Sequence, residues 1–115
     1  MIEAMSNNVI TRPTEITSWL KHYIGEVPDQ SLLDGFKRQT QVSLGLFSSL
    51  TDEQLDFRYD EGKWSVREII AHLIDSERIF SYRALRFSRK DNTELPGYDE
   101  NWYIPNSGAT ARSAK

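Results

Sequence analysis

Cysteine is absent from this chain, and histidine occurs only twice, at His22 and His72. The missing thiols exclude disulfides, zinc–thiolate centres and cysteine nucleophiles. The rarity of imidazoles leaves few ways to assemble a histidine-based site. No apolar run approaches the ~20 residues needed to cross a bilayer, and the amino terminus lacks the basic start and apolar stretch of a secretory signal. No membrane partner is expected, and a cytoplasmic location is the default reading. Positive charge is also short. Fourteen lysines and arginines stand against seventeen acidic residues, a net charge of −3, without the basic footprint that nucleic-acid phosphates require. No nucleic-acid partner is expected. Gly-x-Ser-x-Gly, a glycine loop ahead of a lysine, and His-Glu-x-x-His are all missing, so the common serine-hydrolase, P-loop and zinc-protease chemistries have no anchor here.

What the chain does carry is helical periodicity, on 115 residues that allow one domain at most. Residues 1–11 are polar and read as a flexible tail, leaving 12–115 as a single helical domain. Pro13 suits a first helical turn, and Ile16, Trp19, Leu20 and Tyr23 repeat on one face until Gly25 and Pro28 stop the helix. A second helix is expected from about Gln30 to Leu50, capped by Asp29. Its stripe is Leu33, Phe36, Thr40, Leu44, Phe47 and Leu50. Gly35 and Gly45 weaken it, or mark close approach by a neighbour. Thr51 and Gln54 form a capping box opening one short turn, and residues 55–62 form a connector.

The third helix has the sharpest start. Ser65 and Glu68 form a capping box, and Trp64 and Ile69 a hydrophobic staple. Val66, Ile69, Ile70, Leu73, Glu77, Phe80, Ala84 and Phe87 share one face, and the pattern persists to about Arg89, a rod of roughly 36 Å. Arg83, Arg86, Arg89 and Lys90 gather at its carboxyl end, either as solvated cations opposing the helix dipole or as an anion site. Residues 91–105 read as a long loop turning at Pro96-Gly97, with an aromatic cluster of Tyr98, Trp102 and Tyr103. Residues 107–115 could open another helix. The fold class is all-α.

His72 is the leading site candidate. It borders the apolar stripe, where a neutral imidazole could coordinate a metal held between helices or serve as a satisfied structural residue. Glu68 and Asp75 lie at i−4 and i+3 from it, although Glu68 is also the partner of its own cap. His22 sits off the apolar face of its helix and reads as a surface residue. Glu77, in the middle of the stripe, needs a cation or donor if buried. The two readings are a buried ion pair or hydrogen bond to another helix or the long loop, and a general base near a metal. No catalytic residue is assigned.

The segments Tyr23-Ile24-Gly25-Glu26-Val27-Pro28, Gly62-Lys63-Trp64-Ser65, His72-Leu73-Ile74-Asp75-Ser76-Glu77-Arg78 and Tyr82-Arg83-Ala84-Leu85-Arg86 resemble the DinB-like (YfiT-type) superfamily. Leu95-Pro96-Gly97-Tyr98-Asp99-Glu100 looks like the loop after that family's second long helix. The likeness runs from about Pro13 to Ser113. It implies a four-helix bundle, often dimeric, holding divalent zinc or nickel on three histidines. The first would be His72, and the other two would come from a His-x-x-x-His pair on the fourth long helix. It further implies a metal-dependent hydrolase or a low-molecular-weight-thiol transferase, acting on a small-molecule substrate with or without a thiol cosubstrate. This chain supplies the two amino-terminal long helices and the connecting loop. It is therefore expected to be an incomplete, truncated bundle, inactive alone and binding metal weakly or not at all. Its open apolar faces point to a homodimer. The rival reading is a non-catalytic helical module for self-association or partner binding.

Overall fold

The computed structural model describes residues 17–27 and 31–113. The expectations for the tail, for Pro13 and Ile16, for Pro28 and for Asp29 as a cap fall outside those residues. The regular elements are five α-helices, α1 (Ser18–Gly25), α2 (Leu32–Ser48), α3 (Asp52–Asp56), α4 (Val66–Ser88) and α5 (Glu100–Tyr103), followed by 3-10 turns at Ile104–Asn106 and Ala109–Ala111. The all-α reading holds among the described residues. The chain divides into two compact units, Met1–Ser48 and Ser49–Lys115.

In the first unit, the Thr17 hydroxyl caps α1 by accepting from the Leu20 N–H at 3.4 Å, and the helix ends at Gly25. Trp19 and Tyr23, four residues apart on its expected apolar face, place their rings 4.7 Å apart. Helix α2 begins at Leu32, two residues later than the sequence pattern suggests. Ser31 stands at its entrance, its hydroxyl accepting from the Asp34 N–H. Neither helix contains a buried residue among those described.

The second unit is built outward from two reciprocal caps. Thr51 and Gln54 close the box that starts α3, and Ser65 and Glu68 close the box that starts α4, both as the sequence predicts. Each box satisfies amide donors that a helix start leaves without partners. Between them the chain turns through Asp60–Lys63, where the Lys63 N–H donates to the Asp60 carbonyl. Gly62 occupies this turn at φ +71°, a left-handed conformation that glycine adopts at no steric cost. At its other end α4 stops on a left-handed Lys90, with the Asp91 N–H donating back to the Arg86 carbonyl. The same carbonyl also accepts from the Arg89 N–H, and the return bond closes the last turn. With 23 residues, α4 is a rod of about 34 Å.

The core of this unit is small. Ala71 on α4, Ile104 and Ala109 are buried together with Trp64 packed against them, and Leu55 of α3 is 2% exposed. The segment expected to be a loop over 91–105 therefore contains α5 and the first 3-10 turn. Pro105 sits early in that turn, where its missing N–H costs nothing. Past Ser107, the described chain makes only the short turn at Ala109–Ala111, not a longer helix.

The face of α4 that this core covers is not its apolar stripe. In the first turn Val66, Arg67, Glu68 and Ile70 are half-buried; beyond it the covered positions are Ala71, His72, Asp75, Ser76, Ile79, Arg83 and Arg86. These covered positions centre roughly 140° around the helix from the stripe. The stripe residues Ile69, Leu73, Phe80 and Phe87 are 40–67% exposed. Glu77 is exposed with them, so neither a buried ion pair nor a buried general base describes it. Among the described residues it receives only a 3.3 Å bond from the Ser81 hydroxyl.

Candidate metal-ligand site

The start of α4 fixes His72 in place. Ser65, 2% exposed, accepts from the Glu68 N–H at 3.2 Å, and Glu68 Oε2 accepts from the Ser65 N–H at 2.7 Å. Arg58 reaches the same oxygen at 2.5 Å and also donates to the Lys63 carbonyl at 2.6 Å. Burial by itself would raise the Glu68 carboxyl. The Arg58 guanidinium and the Ser65 N–H outweigh that and hold it below its ordinary value. Glu68 is thus an ionised cap, committed to its own helix start, and not a partner for His72.

Trp64 follows from this geometry. Its indole packs against the Ala71 cluster, and Trp64 and Ile69, the expected staple pair, line one shallow pocket with Ile69 40% exposed. The same indole meets His72, with ring centroids 5.1 Å apart and planes inclined by 48°. His72 is half-buried, one ring face leaning on Trp64, and neither ring nitrogen is hydrogen-bonded among the described residues. Such an imidazole is oriented by packing and retains a lone pair for an outside ligand.

The donor set around it does not amount to a metal centre. Among the described residues no three His, Cys, Asp or Glu side chains come together, whereas a catalytic zinc site takes three protein ligands. Asp75, half-buried, lies 3.9 Å from Arg78. His22 belongs to α1, is exposed and stands edge-on to Tyr23 at 5.7 Å. His72 is thus a single vertex, with no step of a metal-assisted reaction to be built on these residues alone.

The arginines at the far end of α4 have specific tasks. Arg86 pairs with Asp91 at 2.7 Å and donates to the Tyr82 hydroxyl at 2.7 Å. Asp91 is held below the ordinary carboxylate range by its bonds to Thr93 first, with Arg86 adding to them. Arg83 donates to the Pro96 carbonyl at 3.1 Å, and Arg89 to the Ser88 hydroxyl at 3.1 Å. Near the other end, Arg67 is the residue that sequence reasoning missed. Its side chain, 11% exposed, reaches Asp56 at 2.9 Å, Asp52 at 3.1 Å and the Arg112 carbonyl at 2.6 Å. It clasps α3, α4 and the last described segment together. Nothing local marks it, because its partners lie up to 45 residues away.

Comparison with known proteins puts this geometry in context. The family model of the DinB superfamily matches residues 36–114. A "Putative metal-dependent hydrolase" of Oceanobacillus iheyensis is 36% identical over 59 residues, which make up 50% of this chain and 34% of that protein. The chain spans about a third of the length of this relative. No solved structure matches significantly. No described helix is long and apolar enough to cross a membrane.

Proposed function

Because the chain belongs to the DinB superfamily, we propose that it is part of a metal-dependent enzyme in which His72 supplies one ligand to a divalent zinc or nickel ion. The observation that carries this reading is the state of the His72 ring. It is held by Trp64, half-buried, and free of hydrogen bonds at both nitrogens among the described residues. The remaining ligands lie outside those residues, and the family likeness supplies a His-x-x-x-His pair for them. The name of the Oceanobacillus relative favours hydrolysis of a small-molecule substrate. Transfer of a low-molecular-weight thiol is the other reaction class the resemblance implies. When bound, such a metal lowers the pKa of a coordinated water or thiol. This chain's own part is to present an oriented imidazole.

A nickel titration followed by NMR tests the assignment. The His72 ring signals should broaden before those of His22, with overall affinity weaker than micromolar, and His72→Ala should abolish the first event. Broadening that begins at His22, or tight stoichiometric binding that survives His72→Ala, would sink it.

The open stripe of α4 favours a second reading, in which the chain is a self-associating helical module that forms a homodimer. Ile69, Leu73, Phe80 and Phe87 are all exposed on one face, and contiguous apolar surface of this kind marks interaction sites. Sedimentation equilibrium should then show twice the 13.3 kDa chain mass. A monomer at all concentrations excludes this second reading and leaves the first untouched.

A further inference from the structure

Residues 91–99 run back along α4 as an extended strap, tied to it at three points. Asp91 pairs with Arg86, the Pro96 carbonyl accepts from Arg83 at 3.1 Å, and the Tyr98 hydroxyl meets Ser76 at 3.0 Å. Between the last two turns of α4 and the strap these ties leave an open cleft of about 640 Å³. That lies within the size range of small-molecule sites. Phe80, Ala84, Phe87 and Leu95 give it apolar walls, and Arg83 forms part of its floor.

Arg83 is the informative residue. It is half-buried, stacks over the Phe80 ring at 5.7 Å and spends one N–H on the Pro96 carbonyl. No carboxylate pairs with it among the described residues, unlike Arg58, Arg67, Arg78 and Arg86, each of which has at least one. A guanidinium carries five donors in a planar fork. Its permanent charge beside aromatic walls is complementary to a carboxylate on an apolar body. The exposed Glu94 carboxylate on the rim of the cleft opposes a second negative charge on the same molecule.

We propose that this cleft binds an apolar-bodied monocarboxylate, its carboxylate on Arg83 and its hydrocarbon or aryl portion between Phe80, Phe87 and Leu95. The site lies eleven residues along α4 from His72, about 16 Å by helical rise. It therefore stands or falls independently of the metal reading.

Phenylbutyrate and its uncharged analogue phenylbutanol are the probes, titrated into the full chain by NMR. A charge-assisted bond to the guanidinium should favour the acid by about ten- to a hundredfold, with shifts centred on Phe80, Phe87 and Leu95. Arg83→Gln, checked for its helix content, should bring acid and alcohol to equal affinity. Ala84→Leu, at an exposed position that intrudes on the cleft, should weaken both. It keeps the test decisive if Arg83→Gln loosens the strap. Equal binding of acid and alcohol to the unaltered chain overturns the proposal. So does an acid response centred away from the cleft, or one that Ala84→Leu leaves unchanged.

Discussion

The two faces of α4 differ in the opposite sense from their composition. The face made of Leu73, Phe80 and Phe87 is open, while the face carrying Asp75, Ser76, Arg83 and Arg86 is covered. The covered face closes because small residues let the returning chain approach. Ala71 and Ala109 meet under Ile104, and arginine and tyrosine side chains reach across to fix the strap. Burial here is decided by which segment returns and what it can bond to, and hydropathy alone does not identify that face. The open face has the composition of a core and no cover within this unit.

The largest expected effect is at Leu55, the buried side chain of α3. Leu55→Ala should cost about 3 kcal/mol in a urea melt, the usual penalty for emptying a buried leucine site. A loss below about 1 kcal/mol would mean the α3–α4 contact contributes little. Ala71→Leu adds volume where two alanines and an isoleucine meet, and should cost about 2 kcal/mol by overpacking. If it stabilises instead, the covered face is looser than its burial implies.

The helix start that fixes the register of both faces is worth less. Ser65→Ala should cost about 1 kcal/mol. Its partner Glu68 adds a pH dependence. A carboxyl held below its ordinary value when folded contributes stability that is complete above the unfolded value, near 4.3. That contribution is lost as pH falls through the lower folded value. Urea midpoints measured from pH 6 down to pH 2 should show this decline, and Glu68→Gln should flatten its share. The smallest effect belongs to the open face. Leu73→Gln should leave the unfolding free energy of dilute chain within about 0.5 kcal/mol, while reducing any self-association seen by sedimentation. A large loss in dilute solution would show that the stripe is covered after all.

How much of this could be read beforehand follows from the range of each interaction. Thr51 with Gln54 and Ser65 with Glu68 are partners three residues apart, so both helix starts were legible. So was the end of α4 near Arg89, which follows from loss of periodicity. The covered face was not legible, because its partner is an aperiodic strap tied by a carboxylate, a backbone carbonyl and a hydroxyl at irregular spacing. For the same reason the sequence pattern raises the question of a buried Glu77. Its position on the stripe is as expected, but the stripe is not what closes. At the candidate site, His72 and its place at the edge of the stripe were visible from spacing. The Trp64 ring against it was not, since the staple pattern names only Ile69 as the partner of Trp64.

The clasp at Arg67 places unequal demands on its two ends. One side needs a long, forked cation, because a lysine cannot reach two carboxylates and a carbonyl in one plane. The other side offers only the main-chain oxygen of residue 112, an atom that every amino acid possesses. Position 112 can therefore change freely without loosening the clasp, whereas position 67 cannot. A mutational scan of the two should find one site intolerant and the other almost silent.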